Sequence, residues 1–248
     1  MKRSPTATAP RDIDIDFDFR TDTPPDGDPD ADSPTLRRYH KLLWSKPLPN
    51  GSMFDLSEKA NPSLLIHRSA LGEFSLSSDG AITTFRKEVA RKPFLKQIPA
   101  SELEAFQRIG YTIGAIIVFP SNRIGRAMTI NGARGFSPQV KDRFDLTVEC
   151  IRRHYRNEDS PLREVLARYA AFFSLFGNFR GYVEHFLLQD IVADDFTSIE
   201  FFAPFDDFIS PPVPSSMQAY VSYRQLATDF IRARNKRIRA WCLAQPST

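Results

Sequence analysis

The chain has 248 residues, of which 42% are hydrophobic and 25% charged, a balance that excludes a disordered chain and allows a sizeable core. Its two cysteines, Cys150 and Cys242, exclude a disulfide framework and a cysteine-based zinc site. The net charge of +3 is unevenly divided: residues 1–33 hold four basic side chains against nine Asp, while the other 215 hold 29 basic against 21 acidic.

An acidic, Pro-rich leader (1–33) thus precedes a basic body (34–248), and the whole is expected to form one domain with the leader partly ordered. Such asymmetry fits either an anionic partner or a leader folded back onto the body. No apolar stretch follows Met1-Lys-Arg-Ser-Pro5, and the longest apolar run, Ile113 to Phe119, is far short of the roughly 20 residues of a membrane span. A cytoplasmic protein without membrane association is expected.

In chain order, Asp12-Ile-Asp-Ile-Asp-Phe-Asp-Phe19 alternates strictly and predicts a half-buried edge strand with Ile13, Ile15, Phe17 and Phe19 on one face. Asp26-Gly-Asp28-Pro-Asp30-Ala-Asp32 copies the first, third and fifth positions of a calcium loop. It lacks the loop glycine and the closing Glu, so a flexible acidic loop without metal is expected. Ser33-Pro34 supplies a cap and a first-turn proline for a helix striped by Leu36, Tyr39 and Leu43. From Leu64 to Phe85 the pattern predicts a meander, Leu64–His67 then Phe74–Ser77, turned at Asp79-Gly80 into Ala81–Phe85. Ser101 and Glu104 form a capping box for a helix that stops at Gly110. Ile113–Phe119 and Ala127–Ile130 read as strands. Helices follow from Ser137-Pro138 (Val140, Phe144, Val148, Ile151, Tyr155), from Ser160-Pro161 to Gly177, through Phe179–Leu187, and from about Gln218 to Trp241. Ile199–Phe208 reads as a strand or buried loop. Strands early and helices late predict an α+β fold, a mostly antiparallel sheet from the N-terminal half packed on C-terminal helices.

Polar residues cluster most densely at Ser121-Asn122-Arg123-Ile-Gly-Arg126 and Asn131-Gly-Ala-Arg134-Gly135, just before a predicted helix start. Guanidinium forks, close-approach glycines and free helix N–H groups suit a phosphate or carboxylate. The alternative is a pair of turns with solvated or ion-paired arginines. The last helix carries Arg224, Arg232, Lys236 and Arg239 on one face, a stripe suited to a nucleic-acid backbone or simply a solvated face. Arg234 falls on its apolar side and needs a carboxylate if buried. His40, beside Trp44 and Lys46, is either an acid–base or stacking group or a structural histidine. The acids Asp190, Asp194, Asp206 and Asp207 could hold Mg²⁺ for phosphoester hydrolysis if folding joined them.

Several segments together resemble one family: Asp18-Phe-Arg-Thr-Asp22, Ser33-Pro-Thr-Leu-Arg37 and Leu43-Trp-Ser-Lys-Pro-Leu-Pro-Asn-Gly51, with Met128-Thr-Ile-Asn-Gly-Ala-Arg-Gly-Phe136, Cys150-Ile-Arg-Arg-His-Tyr155 and Phe186-Leu-Leu-Gln-Asp190. The resemblance is to a bacterial domain family with no assigned activity. It covers most of the chain, implies that the leader belongs to the fold, and brings no cofactor or catalytic residue.

The residues thus point to a protein that binds a phosphate-bearing partner, nucleic acid or nucleotide, through Asn122, Arg123, Arg126, Asn131 and Arg134, with His40, Trp44 and Lys46 alongside. A metal-dependent phosphoesterase and a protein-interaction module are the alternatives. Cofactor and oligomeric state are left open.

Overall fold

The computed structural model describes residues 13–58, 65–81 and 93–245. Two one-turn elements open it: a 3-10 turn at Phe19–Asp22 and helix α1 at Pro29–Asp32. Helix α2 (Pro34–Trp44) follows directly, its first turn capped by the Ser33 hydroxyl, which accepts from the Leu36 N–H. The sheet comprises β1 (Ser57–Glu58), β2 (Leu65–Ser69), β3 (Gly72–Gly80) and β4 (Ile116–Pro120), antiparallel throughout in the order β1-β2-β3-β4. Between β3 and β4 lies α3 (Ala100–Gly110). The remaining helices are α4 (Ile130–Phe136), α5 (Phe144–Tyr155), α6 (Arg163–Arg168), α7 (Ala170–Ser174), α8 (Phe179–His185) and α9 (Met217–Ala244). The fold is α+β, with the sheet in the N-terminal half as expected.

Residues 13–18 form no strand, contrary to the alternating pattern. The cause is local: Asp14 accepts from the Asp16 N–H (2.9 Å) and Asp18 from the Arg20 N–H (3.0 Å). Aspartates that bind their own backbone compete with a ladder. The division of faces survives, since Ile13 and Phe19 are buried and Ile15 and Phe17 pack against the core. Nor does the chain turn at Asp79-Gly80. β3 runs through both, with Asp79 opposite Ile117 and Gly80 opposite Ile116, and the hairpin turn falls earlier, between Ser69 and Gly72. The predicted strand Ala81–Phe85 lies, apart from Ala81, outside the described residues.

Ala127–Ile130 is not a strand either, because Thr129 caps α4. Pro99, not Ser101, precedes α3, and its start has no side-chain cap. Ser137–Asp142 is a turn, α5 beginning only at Phe144, and the predicted helix after Ser160 is broken at Tyr169 into α6 and α7. Residues 199–208 take the irregular option, with Phe201 stacked on Phe205 at 4.1 Å.

Phe-rich packing fills the core. Phe54, Phe172, Phe176, Tyr182 and Phe186 form a network of ring contacts with His67 and His185, and each such pair adds roughly 0.5–1.5 kcal/mol beyond area burial. Helix α9 seals the molecule by burying Tyr220, Tyr223, Ala227, Phe230, Ile231 and Ile238. Arg234, on that apolar stripe, is fully buried. Among the described residues its partners are backbone carbonyls and no carboxylate: it donates to Gly114 (3.0 Å), Ile116 (2.6 Å), Phe186 (2.8 Å) and Leu187 (3.0 Å). Asn235 beside it accepts from the Gly114 N–H at 2.7 Å. A Cβ at Gly114 would sit 2.5 Å from that same Asn235 oxygen and 2.6 Å from the Ile231 carbonyl, so only glycine allows this approach.

Candidate functional site: an acidic cleft

Leader, sheet and helices meet around a cleft of about 320 Å³, within the usual size of small-molecule sites. Four carboxylates line it: Asp28 and Asp30 from the leader, Asp79 from β3, and Asp142 from the turn before α5. Phe19, Leu36, Tyr111 and Ile116 supply apolar wall, and Gln107 and Ser78 further polar groups.

Asp30 holds the leader to the sheet. Its carboxylate accepts from the Ser78 N–H at 2.9 Å and from the Ser78 hydroxyl at 2.5 Å. Burial pushes its pKa up to about 6; the Ser78 bonds oppose that, and the charges of Asp28 and Asp79 add to it. Asp28 caps α1, accepting from the Asp30 N–H at 3.0 Å, and Asp32 accepts from the Asp28 N–H at 2.9 Å. The Asp26–Asp32 stretch is therefore a capped helical turn and not the flexible acidic loop expected from its composition.

Arg134 stands behind the wall. It is fully buried and lies over the Phe119 ring. Its guanidinium is paired with the Asp79 carboxylate and donates to Thr147 Oγ1 (2.8 Å) and the Asp142 carbonyl (2.8 Å). Its own carbonyl accepts from the Asp142 N–H at 3.2 Å. Lys141 and Asp142 both have positive φ, +47° and +60°, a conformation that costs non-glycine residues roughly 1–2 kcal/mol each. One buried arginine thus fixes two of the four acid-bearing residues, one of them on a strained turn. Of the three arginines expected to grip phosphate, Arg134 thus has its donors occupied by protein acceptors.

The other sequence-predicted residues are placed as follows. Asn122 extends the sheet edge, accepting from the Ser75 N–H (2.5 Å) and donating to the Glu73 carbonyl (2.8 Å). Asn131 donates to the Ser77 hydroxyl and the Ser78 carbonyl, both at 3.2 Å. Arg123 and Arg126 are exposed on a turn and form no ion pair with a described residue. His40 and Trp44 are buried core residues, the indole N–H donating to His40 Nδ1 at 2.9 Å. Burial drives the His40 pKa down to about 3, with help from Arg234. His40 is thus neutral and structural, offering neither acid–base chemistry nor a stacking face.

Lys46 is half-buried, its ammonium 5.4 Å from the Trp44 ring and 4.8 Å from that of Trp241. Burial, with Arg234 second, brings it down to about 7, while the two indole faces favour the charged form. On α9, Arg224 is paired with Glu102 at 2.6 Å. Arg232, Lys236 and Arg239 face solvent without an ion pair to a described residue. Asp190 is paired with Arg237 and Asp207 with Arg153, Asp206 accepts from Ser210, and Asp194 is exposed. Among the described residues no group of three or more His, Cys, Asp or Glu is placed to hold a metal, neither here nor in the cleft. The cleft's described carboxylates thus do not converge as a metal-binding group.

Sequence reasoning passed over Asp79 and Asp142. The visible signal was the Asp26–Asp32 alternation, half of the site.

Fold and site together define an α+β protein with an acidic, partly apolar cleft lined in part by its own leader. Residues 13–238 match a family of unknown function, DUF6994, and the chain belongs to that family. No curated protein and no solved structure matches it. Among the described residues, no helix is long and apolar enough to cross a membrane.

Proposed function

We propose that this protein binds a small organic cation, an amine or guanidinium on an apolar stem, in the acidic cleft. The observation that carries this reading is the cleft wall itself, four acidic residues on three separate segments around about 320 Å³ with apolar groups between them, Asp79 among them being paired with Arg134. Dispersed negative charge suits an extended cation with separated donors better than a single metal ion, which needs converging ligands. Asp30, with its pKa near 6, makes the site pH-sensitive: protonation below that value removes one of the charges and weakens cation binding. Calorimetric titration with spermidine at low ionic strength tests the reading. Asp28→Asn with Asp142→Asn keeps the shapes, and Asn caps α1 as well as Asp does. The double variant is expected to bind about tenfold more weakly, on the order of 1.4 kcal/mol. Equal affinity in wild type and variant would remove the cleft from consideration.

A second reading, binding of a phosphate-bearing partner, is supported by Arg232, Lys236 and Arg239, cations that α9 leaves facing solvent. Anisotropy of labelled RNA and DNA across a salt series tests it. Three phosphate contacts correspond to a log–log slope of about −3 for duplex DNA, and affinity unchanged in Arg232→Ala/Lys236→Ala/Arg239→Ala rejects it.

A further inference from the structure

A second concavity, of about 600 Å³, lies between the turn leading into α4, the end of α4 and the face of α6, away from the four carboxylates. Its apolar surface is unusually open for a folded domain: Phe136 is 75% and Met128 52% exposed, with Val165 on the floor. Two arginines flank it. Arg126 is exposed and forms no ion pair with a described residue. Arg168 is anchored to the Met128 carbonyl at 3.0 Å and, more loosely, to that of Glu164 at 3.4 Å, while its Nε is buried without an acceptor. Among the described residues Glu164 is the one acid on the groove.

Exposed Phe and Met beside Arg is the composition of protein interface centres, where aromatic residues, Met and Arg are enriched. Contiguous exposed apolar surface with a polar rim marks an interaction site. The geometry points to this groove as a docking site for an acidic segment of a partner protein, one that seats an apolar side chain against Phe136 and Met128 and sets carboxylates on Arg126 and Arg168. Charge complementarity selects an acidic occupant. The concave apolar floor selects a peptide over a nucleic-acid backbone, which would need a longer run of cations.

Panning a random peptide phage library against the full chain tests this. Recovered peptides are then measured on wild type, Phe136→Ser and Arg126→Glu; both positions are exposed, so both variants retain the fold, checked by circular dichroism. The expected result is enrichment of peptides combining Asp or Glu with Leu, Phe or Trp, whose affinity drops at least tenfold in each variant. Enrichment without acidic residues, no enrichment, or affinity indifferent to both substitutions would overturn the assignment. So would Phe136-dependent sedimentation with phosphatidylserine vesicles, or Phe136-dependent retention of a labelled RNA, either of which gives the groove another occupant.

Discussion

Lowering the pH from 7.5 to 5 should destabilise this protein by about 3 kcal/mol, and two buried histidines are the reason. His40 and His185 are each 4% exposed, and burial is the main cause that holds their pKa values down to about 3 and about 2. The ring nitrogen of His40 that would take a proton, Nδ1, already accepts from the Trp44 indole N–H, and His185 Nε2 is buried without a partner, so neither can accept a proton cheaply in the fold. In the unfolded chain both titrate near 6.5. A depressed folded pKa means that the unfolded state takes up more protons as pH falls, so the stability is present above about 6.5 and is lost below it. At pH 5 each histidine costs about 2 kcal/mol relative to neutral pH. The folded values lie well below pH 5, so this cost depends only on the unfolded value. Asp30 acts in the opposite sense. Its folded pKa of about 6 is raised, so the fold gains protons before the unfolded chain does and recovers about 1 kcal/mol by pH 5. Urea unfolding at pH 7.5, 6 and 5 measures the sum, and His185→Phe should remove roughly half of the histidine contribution. Stability that is flat or rises between pH 7.5 and 5 would refute the reasoning.

Three further outcomes follow from the packing. Arg234→Met leaves the carbonyls of Gly114, Ile116, Phe186 and Leu187 without their donor; even with relief of guanidinium desolvation, a loss of about 3–5 kcal/mol is expected in urea unfolding. Gly114→Ala should cost several kcal/mol by the same assay, since its Cβ would meet the Ile231 carbonyl at 2.6 Å, and a neutral result would mean that α9 can shift. Arg134→Lys keeps the charge but cannot reproduce three donors in fork geometry. It should lower the melting temperature by several degrees and weaken spermidine binding without any change at the cleft surface.

Much of the fold is legible in the sequence where a single periodicity decides the outcome. Ser33-Pro34 and the Leu36, Tyr39, Leu43 stripe identify α2, and the apolar spacing from Tyr220 to Trp241 identifies α9. Legibility fails where a side chain or a distant segment competes. The Asp12–Phe19 alternation has a strand's period, yet its aspartates bind their own backbone. Asp79-Gly80 has a turn's composition, yet β4 pairs through it from about 40 residues away. Arg134 and Arg126 look alike in sequence; one lies behind the cleft wall and the other faces solvent. The cleft was the least legible feature, since Asp28, Asp30, Asp79 and Asp142 are joined only by folding, and a buried arginine that positions two of them leaves no local signature.

The most direct test of the cation-binding account is a crystal of the protein soaked with 1,4-diaminobutane at saturating concentration. The account predicts density for the diamine in the cleft, its nitrogens within hydrogen-bonding distance of carboxylates among Asp28, Asp30, Asp79 and Asp142. An empty cleft at that concentration, or a diamine bound only elsewhere, would contradict it.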